Sequence, residues 1–190
     1  MKDALKVVYS GSRVATRVAH LGRTITRDYA GRSLDVVIIL ENAFVFGADL
    51  VRKIGRPVVC HFVRSEIRDV TDGGHERREV FFTHEPKLKG RNVLLVDAVL
   101  HSGVTQDFLM RRLMENRPRS LRLAVLVDRP MARRVDLKPD YFGFSAASNY
   151  LAGYGLAGKR GMHRNLPYVG LAGRGAPRER PANERIRQAR

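Results

Sequence analysis

The chain has 190 residues, 44% of them hydrophobic, and 35 lysines and arginines against 19 acidic residues give it a formal net charge of +16 at pH 7. This length predicts one domain with a substantial core. The sequence lacks the run of roughly 18 to 20 apolar residues that spans a bilayer, and MKDALKVVYSGSR at its start has no signal-peptide pattern. We therefore expect a cytoplasmic protein whose basic surface attracts nucleic acid, acidic lipid or phosphorylated metabolites.

The first predicted element is an amphipathic helix. Apolar residues recur at spacings of three and four along SGSRVATRVAHLGRTITRDYAG, at Val14, Val18, Leu21, Ile25 and Tyr29. We expect Ser12 as the N-cap of this helix and Gly31 as its end. The following stretch, LDVVIIL, is short, apolar and rich in β-branched residues, and it predicts a buried strand of a parallel sheet.

Helices and strands alternate through the middle of the chain. AFVFGADLVRKIG predicts a helix that ends at Gly55, and RPVVCHFV predicts a strand in which Cys60 is a small buried hydrophobe. VLLV and LRLAVLV predict two more strands, separated by the helix TQDFLMRRLMENR. This alternation predicts an α/β fold, a mainly parallel, doubly wound sheet flanked by helices, with ligands bound beyond the carboxyl ends of the strands.

The segment 64–92 interrupts the alternation. It carries many charges, a Gly-Gly pair and one short strand-like island, EVFF. We predict a long flexible loop or a hairpin, because long stretches of this kind in compact domains are usually lids or disordered. His61, His75 and His84 with Asp72 match no metal-ligand spacing, so no metal site is predicted from them.

The end of the chain, GRGAPRERPANERIRQAR, concentrates arginines and has few apolar residues. Its composition predicts a disordered Arg-rich tail over residues 174–190, which leaves residues 1–173 as the folded domain. Such a tail either keeps the protein soluble or contacts RNA or a partner. Two other arginine pairs are expected on solvated faces, namely Arg111–Arg112 and Arg133–Arg134.

An anion site is predicted in the stretch VLLVDAVLHSGVTQDF. Ser102, Gly103, Val104 and Thr105 supply hydroxyls and backbone N–H groups between a buried strand and a helix. Such donors, with the positive end of the helix dipole, suit a phosphate monoester. A Ser-Gly-x-Thr turn also serves as an ordinary helix start, and its place after VLLVD is what makes the phosphate interpretation specific.

This stretch resembles the motif that binds phosphoribosyl pyrophosphate in the type I phosphoribosyltransferases, which has two acids, two aliphatic residues, Asp, Thr or Ser, Gly, any residue and Thr. AFVFGADLVRKI is similar to the helix after the family's pyrophosphate loop, and LRLAVLVDRP, VDLKPDYFGF and YLAGYGLAG to its purine-binding end. From about residue 9 to residue 170 the chain resembles the hypoxanthine-guanine phosphoribosyltransferases. The resemblance implies a parallel sheet with a small hood and a long flexible closing loop. It also implies displacement of Mg²⁺-bound pyrophosphate from ribose by a purine nitrogen.

The resemblance also assigns binding roles outside residues 102–105, which we call the phosphate cradle. Arg129 stands where the family uses a lysine to contact the purine's exocyclic oxygen, and a guanidinium donates the same hydrogen bond. Tyr150 takes the place of the aromatic residue that stacks on the base, with Leu151 offering backbone groups to its edge. Asp97, the first acid of the motif, corresponds to a group that holds a ribose hydroxyl, and Arg164 to an arginine near the pyrophosphate.

The departures from the family pattern fall on catalytic and metal positions. Ala98 replaces the second acid of the motif, and Ala157 stands where the family has an aspartate that binds Mg²⁺. Glu41 and Asn42 replace the Lys-Gly of the pyrophosphate loop, so that an anion stands where a cation would neutralise pyrophosphate. His101 replaces the aspartate that handles the proton of the purine's five-membered ring.

We therefore expect a hypoxanthine-guanine phosphoribosyltransferase-like protein that binds a purine nucleotide or phosphoribosyl pyrophosphate, with weak or lost transferase activity and a regulatory or partner role. The alternative is an active purine phosphoribosyltransferase that uses Mg²⁺ and His101, because an imidazole moves a proton about as well as a carboxylate. A third hypothesis is a nucleotide-responsive RNA-binding protein. The resemblance also implies a dimer or tetramer, of this chain alone or with an active relative.

Overall fold

The computed structural model of the chain describes residues 5–70, 75–82, 86–147 and 150–172. Three α-helices lie within these ranges, and they are α1 (Gly11–Asp28), α2 (Phe44–Val51) and α3 (Val104–Met114). The strands in chain order are β1 (Lys6–Tyr9), β2 (Leu34–Leu40), β3 (Val58–Val70), β4 (His75–Phe82), β5 (Asn92–Leu100), β6 (Ser120–Asp128), β7 (Tyr141–Ser145), β8 (Leu151–Ala152) and β9 (Val169–Leu171). No helix in the described ranges is long and apolar enough to cross a bilayer.

Six strands form a central sheet in the order β4-β3-β2-β5-β6-β7. Every neighbouring pair is parallel except β3 and β4, which are antiparallel. A second sheet of three short antiparallel strands, β1-β9-β8, joins the two ends of the domain, and we call it the hood. The predicted α/β class, parallel sheet and small hood are therefore confirmed.

The sheet has an apolar core on each face. Strand β2 is buried over six of its seven residues, because alternate side chains point to opposite faces of a strand and both faces are covered. Val36 and Ile38 join the core beneath α1 and α2. Val37 and Ile39 join the other core, which includes Leu109 of α3. Because both faces are buried, consecutive residues of the strand are apolar, as they are in the VVIIL part of LDVVIIL.

Helix α1 forms as predicted, but its start differs. All five apolar residues of the predicted face are buried, at 4% exposure or less. The N-cap is Ser10 and not Ser12, because the side chain of Ser10 accepts a hydrogen bond from the backbone N–H of Arg13 at 3.4 Å. Two serines two residues apart make this cap ambiguous in the sequence alone. The chain turns after the helix at Gly31, which has a φ of +70°.

The segment after β3 is a β-hairpin. β4 pairs antiparallel with β3 from Val63 opposite Phe82 to Val70 opposite His75. The hairpin form of the prediction for residues 64–92 is therefore observed over these two strands. The backbone hydrogen bonds between two strands form whatever the side chains are. The sequence therefore gave only one short strand-like segment, EVFF, as a sign of this hairpin. The predicted tail, residues 174–190, lies outside the described residues, as do Asp72 and His84.

The prediction that Cys60 is buried is wrong. Cys60 is exposed, and so is Phe62 on the same face of β3, with 41% of its surface accessible. The physical reason is the position of α2, which packs on β2 and β5 nearer the middle of the sheet. Partial desolvation still raises the pKa of the Cys60 thiol, so it is not an activated nucleophile.

His61 of β3 has a charged partner, the carboxylate of Asp35 on β2. Its Nε2 lies 2.9 Å from Oδ1 of Asp35, and Asp35 also accepts a hydrogen bond from Nε of Arg91 at 2.6 Å. Asp35 is only 4% exposed, and two partners satisfy its carboxylate. His61 and Arg91 therefore both help to stabilise a buried carboxylate in the sheet.

Candidate active site

The residues predicted to bind ligand gather at one edge of the central sheet. Leu40 at the end of β2 lies beside Arg64 of β3, and Leu100 at the end of β5 lies beside Asp128, the last residue of β6. Asp128 lies in turn beside Ser145, the last residue of β7. The loops that follow these strands therefore meet, as ligand-binding loops do at the carboxyl edge of a doubly wound sheet.

The predicted phosphate cradle is a tight turn into α3. Gly103 is the N-cap residue, with the left-handed φ of +82°, and its carbonyl accepts the first helical bond from the N–H of Asp107 at 2.8 Å. A Cβ on Gly103 would lie 2.8 Å from Cγ2 of Val135, so only glycine fits here. The start of α3 thus has the glycine turn and the positive dipole end of an anion site, and the binding roles of Ser102 and Thr105 stay predictions.

Asp97 is turned toward α3. It is 8% exposed, and its Oδ1 accepts the N–H of Ala98 at 2.6 Å. Its Oδ2 accepts a hydrogen bond from the side-chain amide of Gln106, which is also buried. The carboxylate thereby ties the end of β5 to the first turn of α3, and the ribose role of Asp97 stays a prediction.

A cleft of about 700 Å³ opens at this edge of the sheet. Three residues assigned to different parts of the site line it together: His101, Ser102 and Arg129. The rest of the wall is Met131, Ala132, Arg133, Arg134, Ala146 and Ala147. The cleft therefore brings together three side chains that the resemblance assigns to proton transfer, to the phosphate and to the purine, and these roles stay predictions.

Arg129 is nearly buried, at 5% exposure. Its Nη2 donates to the carbonyl of Ala147 at 3.2 Å, and its backbone N–H donates to the carbonyl of Leu100 at 3.0 Å. Burial lowers the pKa of the guanidinium. A fixed, partly desolvated donor of this kind discriminates between ligands that offer an acceptor and ligands that do not.

The loop after β6 contributes two arginines whose role the sequence reasoning missed. Arg133 forms an ion pair with Asp128 in which both side chains are 13% exposed, and its Nη1 donates to the carbonyl of His101 at 3.1 Å. The N–H of Arg134 donates to the carbonyl of Ser102 at 2.9 Å. The solvated-face prediction is therefore wrong for Arg133, while Arg134 is exposed but lines the cleft. Their position just after the carboxyl end of a strand was the available signal.

The predicted pyrophosphate residues also come together. Glu41 accepts from Nη2 of Arg164 at 3.3 Å and from Nη2 of Arg64 at 3.2 Å. Nη1 of Arg164 donates to Asn42 Oδ1 at 2.7 Å and to the carbonyl of Gly155 at 2.6 Å. The peptide between residues 40 and 41 is cis. Two guanidiniums thus face one carboxylate, so the charge reversal at Glu41 is compensated and this cluster has a net positive charge.

Tyr150 and Leu151 lie apart from the lining of the cleft. Tyr150 is 45% exposed, and its carbonyl accepts the N–H of Ala172 at 2.8 Å. Leu151 belongs to β8 and pairs with Leu171 in the hood. Residues 148–149, which connect Tyr150 to the cleft wall, are outside the described ranges. The stacking role of Tyr150 and the backbone role of Leu151 therefore stay predictions.

The profile of the phosphoribosyl transferase domain matches residues 5–157 of the chain. This range includes both the predicted phosphate cradle and the predicted pyrophosphate loop. The chain therefore belongs to the phosphoribosyltransferases.

Its relatives define the branch more narrowly. The chain is 32% identical over 174 residues to the hypoxanthine phosphoribosyltransferase of Haemophilus influenzae, covering 89% of this chain and 96% of that protein. It is 30% identical over 171 residues to the bifunctional protein TilS/HprT of Listeria monocytogenes, of which it spans 26%. A crystal structure of a hypoxanthine-guanine phosphoribosyltransferase from Bacillus anthracis has a TM-score of 0.79 at 28% identity, covering 90% of this chain and 99% of that one. Within the type I fold the chain belongs to the hypoxanthine-guanine phosphoribosyltransferase family.

Proposed function

We propose that this protein is an active purine phosphoribosyltransferase that joins hypoxanthine or guanine to phosphoribosyl pyrophosphate and releases pyrophosphate. The observation that carries the proposal is the cleft in which His101, Ser102 and Arg129 meet. The names of the relatives, a hypoxanthine phosphoribosyltransferase and a hypoxanthine-guanine phosphoribosyltransferase, support turnover over the weak or lost activity expected from the sequence. Assembly into dimers or tetramers is part of the proposal.

At the purine end, we assign proton transfer to His101. Its side chain is exposed to the cleft, and a neutral imidazole accepts the proton that the purine nitrogen loses as it bonds to ribose C1. The guanidinium of Arg129 donates to the exocyclic oxygen that hypoxanthine and guanine share. Nη1 of Arg133 donates to the carbonyl of His101, so Arg133 positions the catalytic group.

At the other end of the substrate, the cluster of Arg64, Arg164 and Glu41 replaces the family's loop lysine. The resemblance assigns pyrophosphate to this loop, and a net positive cluster attracts that anion. Nη2 of Arg164 and of Arg64 both contact Glu41, which holds the two cations on the same side of the loop. The loop has no lysine at position 41. Arg64 on β3 and Arg164 in the segment after β8 thus supply the positive charge instead.

Mg²⁺ is implied by the family, and the carboxylates in the described part of the chain do not form a cage for it. Ala98 and Ala157 have no side-chain oxygen, and Asp97 already accepts two hydrogen bonds. Within the described ranges no three acidic or histidine side chains are grouped. Because Mg²⁺ keeps several waters and binds substrate phosphates, we assign it to the substrate, as the complex with phosphoribosyl pyrophosphate.

The decisive experiment incubates the full-length protein with phosphoribosyl pyrophosphate, Mg²⁺ and each of hypoxanthine, guanine and xanthine, and measures nucleoside monophosphate by chromatography. We expect product from hypoxanthine or guanine. GMP and IMP should also raise the melting temperature, and the double variant Ser102→Ala, Thr105→Ala should abolish that shift. A GMP shift without product would favour the regulatory alternative, and neither shift nor product would refute the proposal.

The pyrophosphate cluster predicts two KM changes of opposite sign. Arg64→Ala should raise the KM for phosphoribosyl pyrophosphate about three- to tenfold, because it removes one cation from a pair that is more than half exposed. Glu41→Gln should lower the same KM several-fold, because it removes an anion. Steady-state kinetics with hypoxanthine in excess measures both effects.

Arg52→Ala is the matched control for these variants, since Arg52 forms an exposed pair with Asp49 on α2. Its KM should equal that of the wild type. A higher KM in Glu41→Gln would mean that Glu41 is needed to orient the arginines and would contradict the electrostatic assignment.

A further inference from the structure

A second groove, of about 700 Å³, lies between α1 and the edge strand β7. Its lining is Tyr9, Ser12, Arg13, Thr16, Arg17, His20, Arg23, Phe142, Gly143, Phe144 and Ser145. It shares no lining residue with the cleft at the carboxyl edge of the sheet. The groove is therefore separate from the proposed transferase site.

One wall of the groove is a basic stripe. Arg13, Arg17, His20 and Arg23 follow one another at spacings of four, three and three residues, which places them on one face of α1. The groove lining contains no acidic residue. At about 1.5 Å per residue the stripe is about 15 Å long, so it can contact more than one phosphate of a nucleic-acid strand.

The floor of the groove is aromatic. Phe142 and Phe144 lie two residues apart on one face of β7, and Phe142 is 42% exposed. The Phe144 ring stacks on Tyr9 with centroids 4.0 Å apart, and the guanidinium of Arg13 lies 5.6 Å from the Tyr9 centroid. Stacking therefore occupies Phe144 and Tyr9 and leaves Phe142 with an accessible ring.

The two walls are fixed to each other by hydrogen bonds across the groove. Nε of Arg17 donates to the carbonyl of Gly143 at 2.6 Å, and the Tyr9 hydroxyl donates to the carbonyl of Ser145 at 2.9 Å. The groove is thus formed before any ligand arrives, which reduces the entropy lost on binding.

We propose that this groove binds single-stranded RNA, with the arginine stripe on the phosphates and a base stacked on Phe142. Basic side chains beside an exposed aromatic ring are the usual elements of a single-strand site. Ser12 and Thr16 line the groove and supply hydroxyls that can bond a ribose 2′-hydroxyl. A second copy of the chain is a poor occupant, because a two-fold contact would bring the same arginines face to face.

The test measures fluorescence anisotropy of a labelled, unstructured 12-nucleotide RNA with the full-length protein across a salt series. Arg13→Gln with Arg23→Gln should weaken binding at least tenfold, and should reduce the slope of log K against log salt by about 1.4, or about 0.7 for each lost contact with a single strand. Phe142→Ala should weaken binding about tenfold without changing the slope.

Two full-length variants lose the same charge elsewhere, Arg111→Gln with Arg112→Gln on α3, and Arg185→Gln with Arg187→Gln near the end of the chain. The RNA affinity of both variants should stay within about twofold of that of the wild type, since only the overall electrostatic attraction of the protein for RNA changes. Equal losses in a control and in the groove variant would overturn the proposal, and so would an unchanged affinity in Phe142→Ala. DNA of the same sequence binding as tightly as RNA would overturn the assignment of RNA, as would groove-dependent binding to phosphatidylglycerol vesicles alone.

Discussion

Replacing His101 with alanine is expected to lower kcat about a hundred- to ten-thousandfold, the usual contribution of a positioned general acid or base. The imidazole is open to the cleft that also contains Ser102 and Arg129, and no described carboxylate lines that cleft. The KM for phosphoribosyl pyrophosphate should change little, because the phosphate cradle and the pyrophosphate cluster are untouched. Turnover kinetics with saturating hypoxanthine measures the loss.

The pH dependence of kcat distinguishes proton transfer from mere packing. With histidine as the base, kcat should fall as the imidazole is protonated, somewhere between about pH 5 and 8. His101→Asp restores the family's residue, which stays ionised in that range. This variant should therefore retain turnover, and its kcat should not decrease over that pH range. His20→Ala removes an exposed histidine outside the cleft and should keep both kcat and the wild-type profile. An unchanged kcat in His101→Ala would remove His101 from the chemistry.

Replacing Gly103 with alanine is expected to raise the KM for phosphoribosyl pyrophosphate about a hundredfold or more. The residue has a φ of +82°, and a Cβ there would lie 2.8 Å from Cγ2 of Val135 and 3.1 Å from Cδ of Arg133. A left-handed conformation costs a non-glycine residue about 1–2 kcal/mol, and the contacts force the turn to move. Each lost hydrogen bond to the charged phosphate costs about 1.5–3 kcal/mol, so the loss of two such bonds weakens binding about a hundredfold or more. Steady-state kinetics and GMP titration by calorimetry both report this change.

The variant Gly31→Ala separates the effect of the left-handed conformation from the effect of close contacts at the Cβ. Gly31 has a similar φ of +70°, and no heavy atom lies within 4 Å of the position of its Cβ. The variant should therefore lose about 1–2 kcal/mol of unfolding free energy while its KM stays that of the wild type. Comparable KM values for Gly103→Ala and Gly31→Ala would show that the cradle does not depend on the close packing of Gly103.

The net charge at the pyrophosphate loop depends on residues that are far from it in the sequence. Glu41 alone indicated repulsion of pyrophosphate, and its neighbours in sequence offered no correction. Arg64 is 23 positions away and Arg164 is 123 positions away from it. Parallel pairing of β2 with β3 brings Arg64 beside residue 40, and the segment after β8 brings Arg164. An electrostatic prediction for one residue is therefore incomplete until its spatial neighbours are known.

Arg133 illustrates the same limit at the purine end. In the sequence, consecutive arginines in a polar stretch favour a solvated face. In the structure the turn after β6 folds back over the cradle, so Arg133 is paired with Asp128 and bonded to the carbonyl of His101. Cys60 shows the opposite case, since an apolar run predicted burial and the helices cover a different part of the sheet.

What the sequence by itself determined is local and periodic. The apolar spacing of α1, the unbroken apolar run of β2 and the Ser-Gly-x-Thr turn each depend on residues adjacent in the chain, so these local elements could be predicted. Tertiary structure alone decided which loops meet: the ion pairs of Glu41, the burial of Arg129 and Arg133, the cleft around His101, and the groove between α1 and β7. These features depend on strand order and register, which join residues far apart in the chain and which no local pattern encodes.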